Sequence, residues 1–191
     1  MRAITQLGKF VNADVSVSGG SKKTNYYIGA SASHRDGIIR TNSMDKVNLS
    51  FKLNHKFNDW FEVGANNSGN YVKNHQVPGH NSGAMIIGRA IMQRPFDRPY
   101  APDGSYFTGG TDALTFHNAI QLLNEEISYI ENYRFIGSYY ATLKFWEDKI
   151  TFKNTFNTDV LALYDYTNYF STHPYGEGVG LITDRNQTSI N

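Results

Sequence analysis

His75 and His80 stand four residues apart, close enough for two imidazoles to start a metal site. They flank Pro78-Gly79, which places them on a loop rather than on one helix face, and no carboxylate or cysteine completes a set. Asp103-Gly104 has the form of a turn tip, without the regularly spaced oxygen ligands of a calcium loop. Glu125 and Glu126 are neighbours that would diverge on a helix. Asp159 and Asp165 share one face of a strand but lie well apart, so neither couple reads as a glycosidase pair, and solvated side chains account for all four. No serine sits in a nucleophile elbow, and Gly176-Glu177-Gly178-Val179-Gly180 does not join a strand to a helix as a phosphate loop must. The residues therefore predict no catalytic set, no metal and no cofactor. What remains is recognition chemistry. Tyr100, Tyr106, Phe107 and Phe116 supply rings that can stack on sugars or peptide side chains or pack their own loop, and Asp103 lies among them; these five are the candidate substrate contacts. Lys46, Lys52, Lys56, Arg134, Lys144 and Lys153 form a basic set that attracts anionic solutes or pairs with carboxylates outside the chain.

The elements that carry these residues announce themselves by a period of two. From Asp45 to Phe57, Val47, Leu49, Phe51, Leu53 and Phe57 alternate with Lys46, Asn48, Ser50, Lys52, Asn54 and Lys56. Successive strand side chains point to opposite faces, so this strand has one greasy face and one wet face. The scheme recurs over residues 10–19, 24–35, 60–72, 133–147 and 149–166, with Asn67 the one polar intruder on the apolar face of its strand. Between residues 73 and 132 the alternation stops, in a stretch rich in Pro and Gly that predicts one long functional loop. Two short helices fit within it, one opened by Ser82 and stopped by Pro95, the other opened by Asn118 and running through Glu126. Tight connections alternate with longer ones, so the short turns gather at one end of an up-and-down meander and the long loops at the other. Phe57, Trp60, Phe145 and Trp146 flank the tight turns, where an aromatic girdle forms.

Bulk properties agree with this reading. The chain has 191 residues, 14% aromatic and 18% charged, with a net charge of +1 that argues against a nucleic-acid partner. It has no cysteine, hence no disulfide and no thiolate site. No apolar run reaches the ~18 residues of a transmembrane helix, but strands that are greasy on one face and wet on the other can span a bilayer as a β-barrel. The fold class expected is an all-β, antiparallel up-and-down transmembrane barrel portion of about six strands with one long extracellular loop carrying short helices. Six strands do not close a barrel, so they form a piece of a larger one. A soluble β-sandwich that binds carbohydrate is the alternative, and a jelly-roll hydrolase a third; sandwich strands are commonly nearer six residues long.

The order and wording of the segments resemble the SusC/RagA-like TonB-dependent outer-membrane transporters. The matching stretches are Asp14-Val15-Ser16-Val17-Ser18-Gly19-Gly20-Ser21, Thr24-Asn25-Tyr26-Tyr27-Ile28 and Asp36-Gly37-Ile38-Ile39. Further ones are Asn54-His55-Lys56-Phe57-Asn58-Asp59-Trp60 leading into Val63-Gly64-Ala65, then Tyr100-Ala101-Pro102-Asp103-Gly104-Ser105-Tyr106, and Tyr133-Arg134-Phe135-Ile136-Gly137 through Ile150-Thr151-Phe152-Lys153. The resemblance implies an early-to-middle part of a barrel of about 22 strands, filled by a plug domain and set in the outer membrane of a Gram-negative cell. It implies import of oligosaccharides or peptides driven through TonB, under a SusD-like surface lipoprotein acting as a lid. Plug, TonB box and signal peptide are expected to lie outside these 191 residues.

Overall fold

The structure is a computed structural model, and it describes residues 3–77, 83–92, 98–107, 118–146 and 149–191. Seven strands follow one another in sequence order: β1 (Phe10–Gly20), β2 (Thr24–Asp36), β3 (Ser43–Lys56), β4 (Phe61–His75), β5 (Glu126–Phe145), β6 (Ile150–Tyr169) and β7 (Leu181–Ile190). They form one antiparallel sheet in the order β1-β2-β3-β4-β5-β6-β7. β1 and β7 each pair on one side only, so the sheet does not close. Among the described residues of the β4–β5 connection lie two helices, α1 (Gly83–Met92) and α2 (Ala119–Glu125). No described helix is long and apolar enough to cross a membrane. Among the described residues no second sheet covers either face, which removes the basis of the sandwich and jelly-roll alternatives.

Three boundaries differ from the sequence expectation. β7 is a seventh strand where the sequence reads as a polar tail, because Thr183, Asp184, Arg185, Asn186 and Gln187 present no apolar alternation. β5 begins at Glu126 rather than near Tyr133, and β4 runs on to His75, so the long connection is shorter than residues 73–132. In all three cases the added strand residues carry polar groups on both faces, so a period of two does not show them.

The register aligns the apolar positions into one surface. Ile28, Phe51 and Asn67 stand side by side, as do Ala30, Leu49, Gly69, Phe135 and Val160 in the next row. No described element packs on this face: Leu49 is 58% exposed. Asn67 is accommodated there because Gly137 opposite it has no side chain; a Cβ at Gly137 would lie 3.1 Å from the Asn67 Oδ1.

Polar and aromatic rows bound the apolar band at both ends. At the loop end Tyr71 and Tyr133 have ring centroids 4.8 Å apart, and Tyr133 and Tyr164 5.9 Å. One row beyond, ion pairs appear on the same face: Lys73 Nζ lies 2.8 Å from Glu131 Oε1, and His34 Nδ1 lies 2.6 Å from Asp45 Oδ1. At the turn end Phe57 stacks on Phe61 at 5.2 Å, with Trp60 5.8 Å from Phe61. Val47 to Phe57 spans about 33 Å of strand, or about 25 Å along the normal at a tilt of about 40°. That is the height of the lipid-facing band of an outer-membrane barrel.

Among the described residues the buried core sits at the loop end, off the sheet. Ile4, Ile39, Ile86, Ala119, Ile120, Leu122 and Leu123 make it. Thr5 and Ile39 form an isolated bridge that brings the N-terminal segment to the β2–β3 loop. α2 starts where the sequence places it: Asn118 Oδ1 accepts from the Ile120 and Gln121 N–H groups at 2.9 and 3.4 Å, satisfying donors that a helix start leaves open. The expected caps at Ser82 and Pro95 lie outside the described residues.

Candidate functional site

The loop end gathers the aromatic candidates. Pro99 to Phe107 fold into a tight tip in which Tyr100 and Tyr106 form a bridge and their rings lie 5.5 Å apart. Ala101 N–H donates to Ser105 O at 2.8 Å, and Gly104 takes a φ of 86°, which glycine adopts without strain. Asp103 Oδ1 accepts from the Ser105 N–H at 3.0 Å and from its hydroxyl at 2.7 Å. Those two hydrogen bonds hold the Asp103 carboxyl below the usual carboxylate range. Asp103 is thus committed first to building its turn. Asn118 Nδ2 clamps the tip onto the start of α2 by donating to Pro99 O at 2.7 Å and Phe107 O at 3.1 Å.

Within this tip the rings divide their work. Tyr106 packs against the buried core, and its hydroxyl accepts from Asn124 Nδ2 at 3.1 Å. Phe107 is half-buried. Tyr100 remains 46% exposed. Phe116 and His80 lie outside the described residues. The structure therefore brings Tyr100, Asp103, Tyr106 and Phe107 together and leaves Tyr100 the ring most open to a ligand. Two substitutions separate these roles. Tyr106→Ala is expected to destabilise the loop cap by about 3 kcal/mol or more, as loss of a packed aromatic does. Tyr100→Ala is expected to change cap stability by less than about 0.5 kcal/mol. Protease sensitivity of the loop in each variant checks the division; equal sensitivity would contradict it.

The wet face is knit together by polar contacts. Arg134 holds Asp159 through Nε at 3.0 Å and Nη2 at 2.6 Å, a two-pronged pair. Lys52 lies over the Tyr27 ring and Lys153 over the Tyr140 ring, 5.9 and 4.6 Å from the centroids. Tyr140 crosses over Gly64, where a Cβ would collide with the ring, and its hydroxyl lies 2.9 Å from Asn54 Oδ1 and 3.0 Å from Glu62 Oε1. Lys56 pairs with Asp59 in the β3–β4 turn at 3.0 Å, and that contact lowers the Asp59 pKa. Several of the basic residues are therefore engaged by partners within the chain.

The carboxylates are where sequence reasoning errs most. Glu125 and Glu126 are buried, 8% and 6% exposed, not solvated. Glu125 accepts from Gln121 Nε2 at 2.9 Å and Thr172 Oγ1 at 2.7 Å. Glu126 Oε2 lies 3.8 Å from His173 Nε2. The Tyr175 N–H donates to His173 Nδ1 at 3.1 Å, so the ring proton sits on Nε2, facing Glu126. These contacts fasten the loop of residues 170–180 to α2 and to the start of β5. Nothing in the local sequence signals the Thr172 and His173 contacts, which join residues 47 positions apart. Among the described residues no group of three or more His, Asp or Glu side chains is placed to hold a metal.

This geometry is a barrel wall with an ordered cap, and comparisons with known proteins agree. No protein-family model matches the chain. It is 27% identical over 154 residues to TonB-dependent receptor P26 of Formosa agariphila, covering 78% of this chain and 14% of that protein. It is 25% identical over 154 residues to TonB-dependent receptor P3 of the same organism, covering 78% of this chain and 15% of the relative. In structure it matches the RagAB peptide importer in its closed-closed state with a TM-score of 0.75 at 17% identity, over 99% of this chain and 22% of that one. The open-open state matches with a TM-score of 0.75 at 17% identity, over 99% of this chain and 21% of that one. The chain is similar to a segment of TonB-dependent receptors, and its fold is that of part of the RagAB peptide importer. It spans about a seventh of the curated relatives' length. In a barrel of that fold an apolar face is the outer wall and a polar face, such as the one that carries these basic residues, is the inner one.

Proposed function

We propose that the segment forms one side of a TonB-dependent importer in the outer membrane of a Gram-negative cell. The remaining strands complete the barrel, a plug fills it, and TonB drives it from the periplasmic side. A SusD-like lipoprotein covers the loop end, and the cargo is an oligosaccharide or a peptide. The observation that carries this reading is the two-faced sheet: a lipid-height apolar band bounded by aromatic and charged rows, with every short turn at one end. The loop end holds the only described buried core, as a cap poised to meet cargo or lid must. Tyr100, Asp103, Tyr106, Phe107 and Phe116 are the proposed cargo contacts, Tyr100 foremost by its exposure. The likeness to a peptide importer and to two TonB-dependent receptors supports the assignment.

An epitope inserted at the Asp103-Gly104 tip of the full-length protein tests the orientation. The tip is exposed and its turn is local, so the insertion is tolerated there. Antibody is expected to reach it on intact cells. Labelling that appears only after the outer membrane is permeabilised would invert the topology. Loss of solute uptake on deleting TonB tests the transport itself.

A further inference from the structure

At its loop end the inner face carries a cleft of about 330 Å³ between β5, β6 and β7. That volume lies near the lower end of the range for small-ligand sites, about 300–1,000 Å³. The register fixes what its walls present. Ser128, Thr167 and Thr183 stand directly opposite one another across the three strands, with the Ser128 and Thr167 hydroxyls 3.3 Å apart. Ser128 Oγ also donates to Gln76 Oε1 at 3.3 Å. Two residues along, Asp165 and Arg185 face each other on neighbouring strands. Opposite charges so placed ordinarily pair. Here neither side chain makes an ion pair or hydrogen bond with any described residue, and both line the cleft. A carboxylate and a guanidinium are thus held side by side with no partner among the described residues, in a cleft that the buried Glu126 carboxylate also lines.

Two kinds of cargo fit a polar cleft, and the walls choose between them. A sugar is commonly held by an open aromatic face. Tyr169, the ring in this cleft, is buried against His173 and Tyr175 and offers none. The apolar surface available is the aliphatic Leu181. We propose that this cleft binds a short zwitterionic peptide of two or three residues. Arg185 takes the terminal carboxylate in the two-pronged geometry that guanidinium favours. Asp165 takes the terminal ammonium, and the hydroxyl row with Gln76 serves the peptide backbone. The inference rests on the import reading above and adds to it a binding site and a charge pattern for the cargo.

The test uses the full-length protein and one alanine tripeptide in four forms: free, N-acetylated, C-amidated and doubly blocked. Binding is measured by calorimetry in detergent, and uptake in cells. Each block is expected to weaken binding about tenfold or more, because each removes a charge-assisted contact. Arg185→Gln is expected to abolish the penalty for C-amidation and to keep that for N-acetylation; Asp165→Asn should do the reverse. Arg185→Lys keeps the charge and should retain part of the C-terminal preference, so the pattern remains testable where one variant assembles poorly. Equal binding of free and doubly blocked tripeptide by the unaltered protein, or no binding of either, overturns the inference. So does a uniform loss across all four forms in every variant, which is the signature of a merely structural role. Uptake that needs TonB but ignores the termini defeats this inference alone. Absence of any TonB-dependent uptake defeats the import reading.

Discussion

Phe51→Lys in the full-length protein is expected to lower barrel stability by about 2–4 kcal/mol, the cost of a cation near the midplane of the lipid face. Phe51 lies near the middle of the apolar band, opposite Ile28 on one side and Asn67 on the other. Its side chain is partly exposed on that face, so a lysine there must desolvate its ammonium or drag water into the bilayer. The matched control is Asn48→Lys, three residues away on the inner face. Asn48 donates from Nδ2 to Ser31 Oγ at 2.9 Å, so that change loses one hydrogen bond, about 1 kcal/mol, and leaves the new charge in water. Denaturant titration of both variants in lipid vesicles measures the difference. Equal tolerance at both positions would mean that the apolar face does not meet lipid.

How much of this was legible in the sequence follows from where physical demand is strongest. β1 to β4 share one continuous apolar face, so Val47, Leu49, Phe51 and Leu53 fall on one parity, and the strands could be read off directly. Above the tyrosine row that demand ends. The first residues of β5 and all of β7 are held by backbone pairing rather than by an apolar face, and they read as loop and tail. Asn118 was readable because capping is local, a side chain bonding N–H groups two and three positions on. Arg185 and Asp165 were not readable as neighbours. Their meeting depends on the register of a strand that the pattern did not reveal. The same holds for Glu125 with Thr172 and Glu126 with His173, whose burial comes from a loop folding back over a distant helix.

That folded-back loop contains the glycine cluster that matches no phosphate-binding pattern, and its glycines have a purely conformational purpose. Gly178 and Gly180 take φ values of 79° and 86°, open to glycine and costly for other residues. Gly176 is required for a different reason. A Cβ there would collide with the carbonyl oxygen of Phe170, which is backbone and cannot rotate aside. Gly176→Val is therefore expected to disrupt the loop of residues 170–180 at a cost of about 3 kcal/mol or more. The Phe170 N–H bonds to Glu125 O at 3.0 Å, and Thr172 and His173 are seated on Glu125 and Glu126. Displacing them loosens α2, and with it the Asn118 clamp on the Tyr100–Tyr106 tip. Protease added to intact cells should cleave this variant at the loop end, while the barrel keeps its heat-resistant migration on gels. Glu177→Gly provides the opposite sign. Glu177 holds a φ of 52° without being glycine, so the change relieves strain, by about 1 kcal/mol, and should protect the same loop. Protection by both changes, or cleavage by neither, would show that residues 170–180 do not fasten the cap.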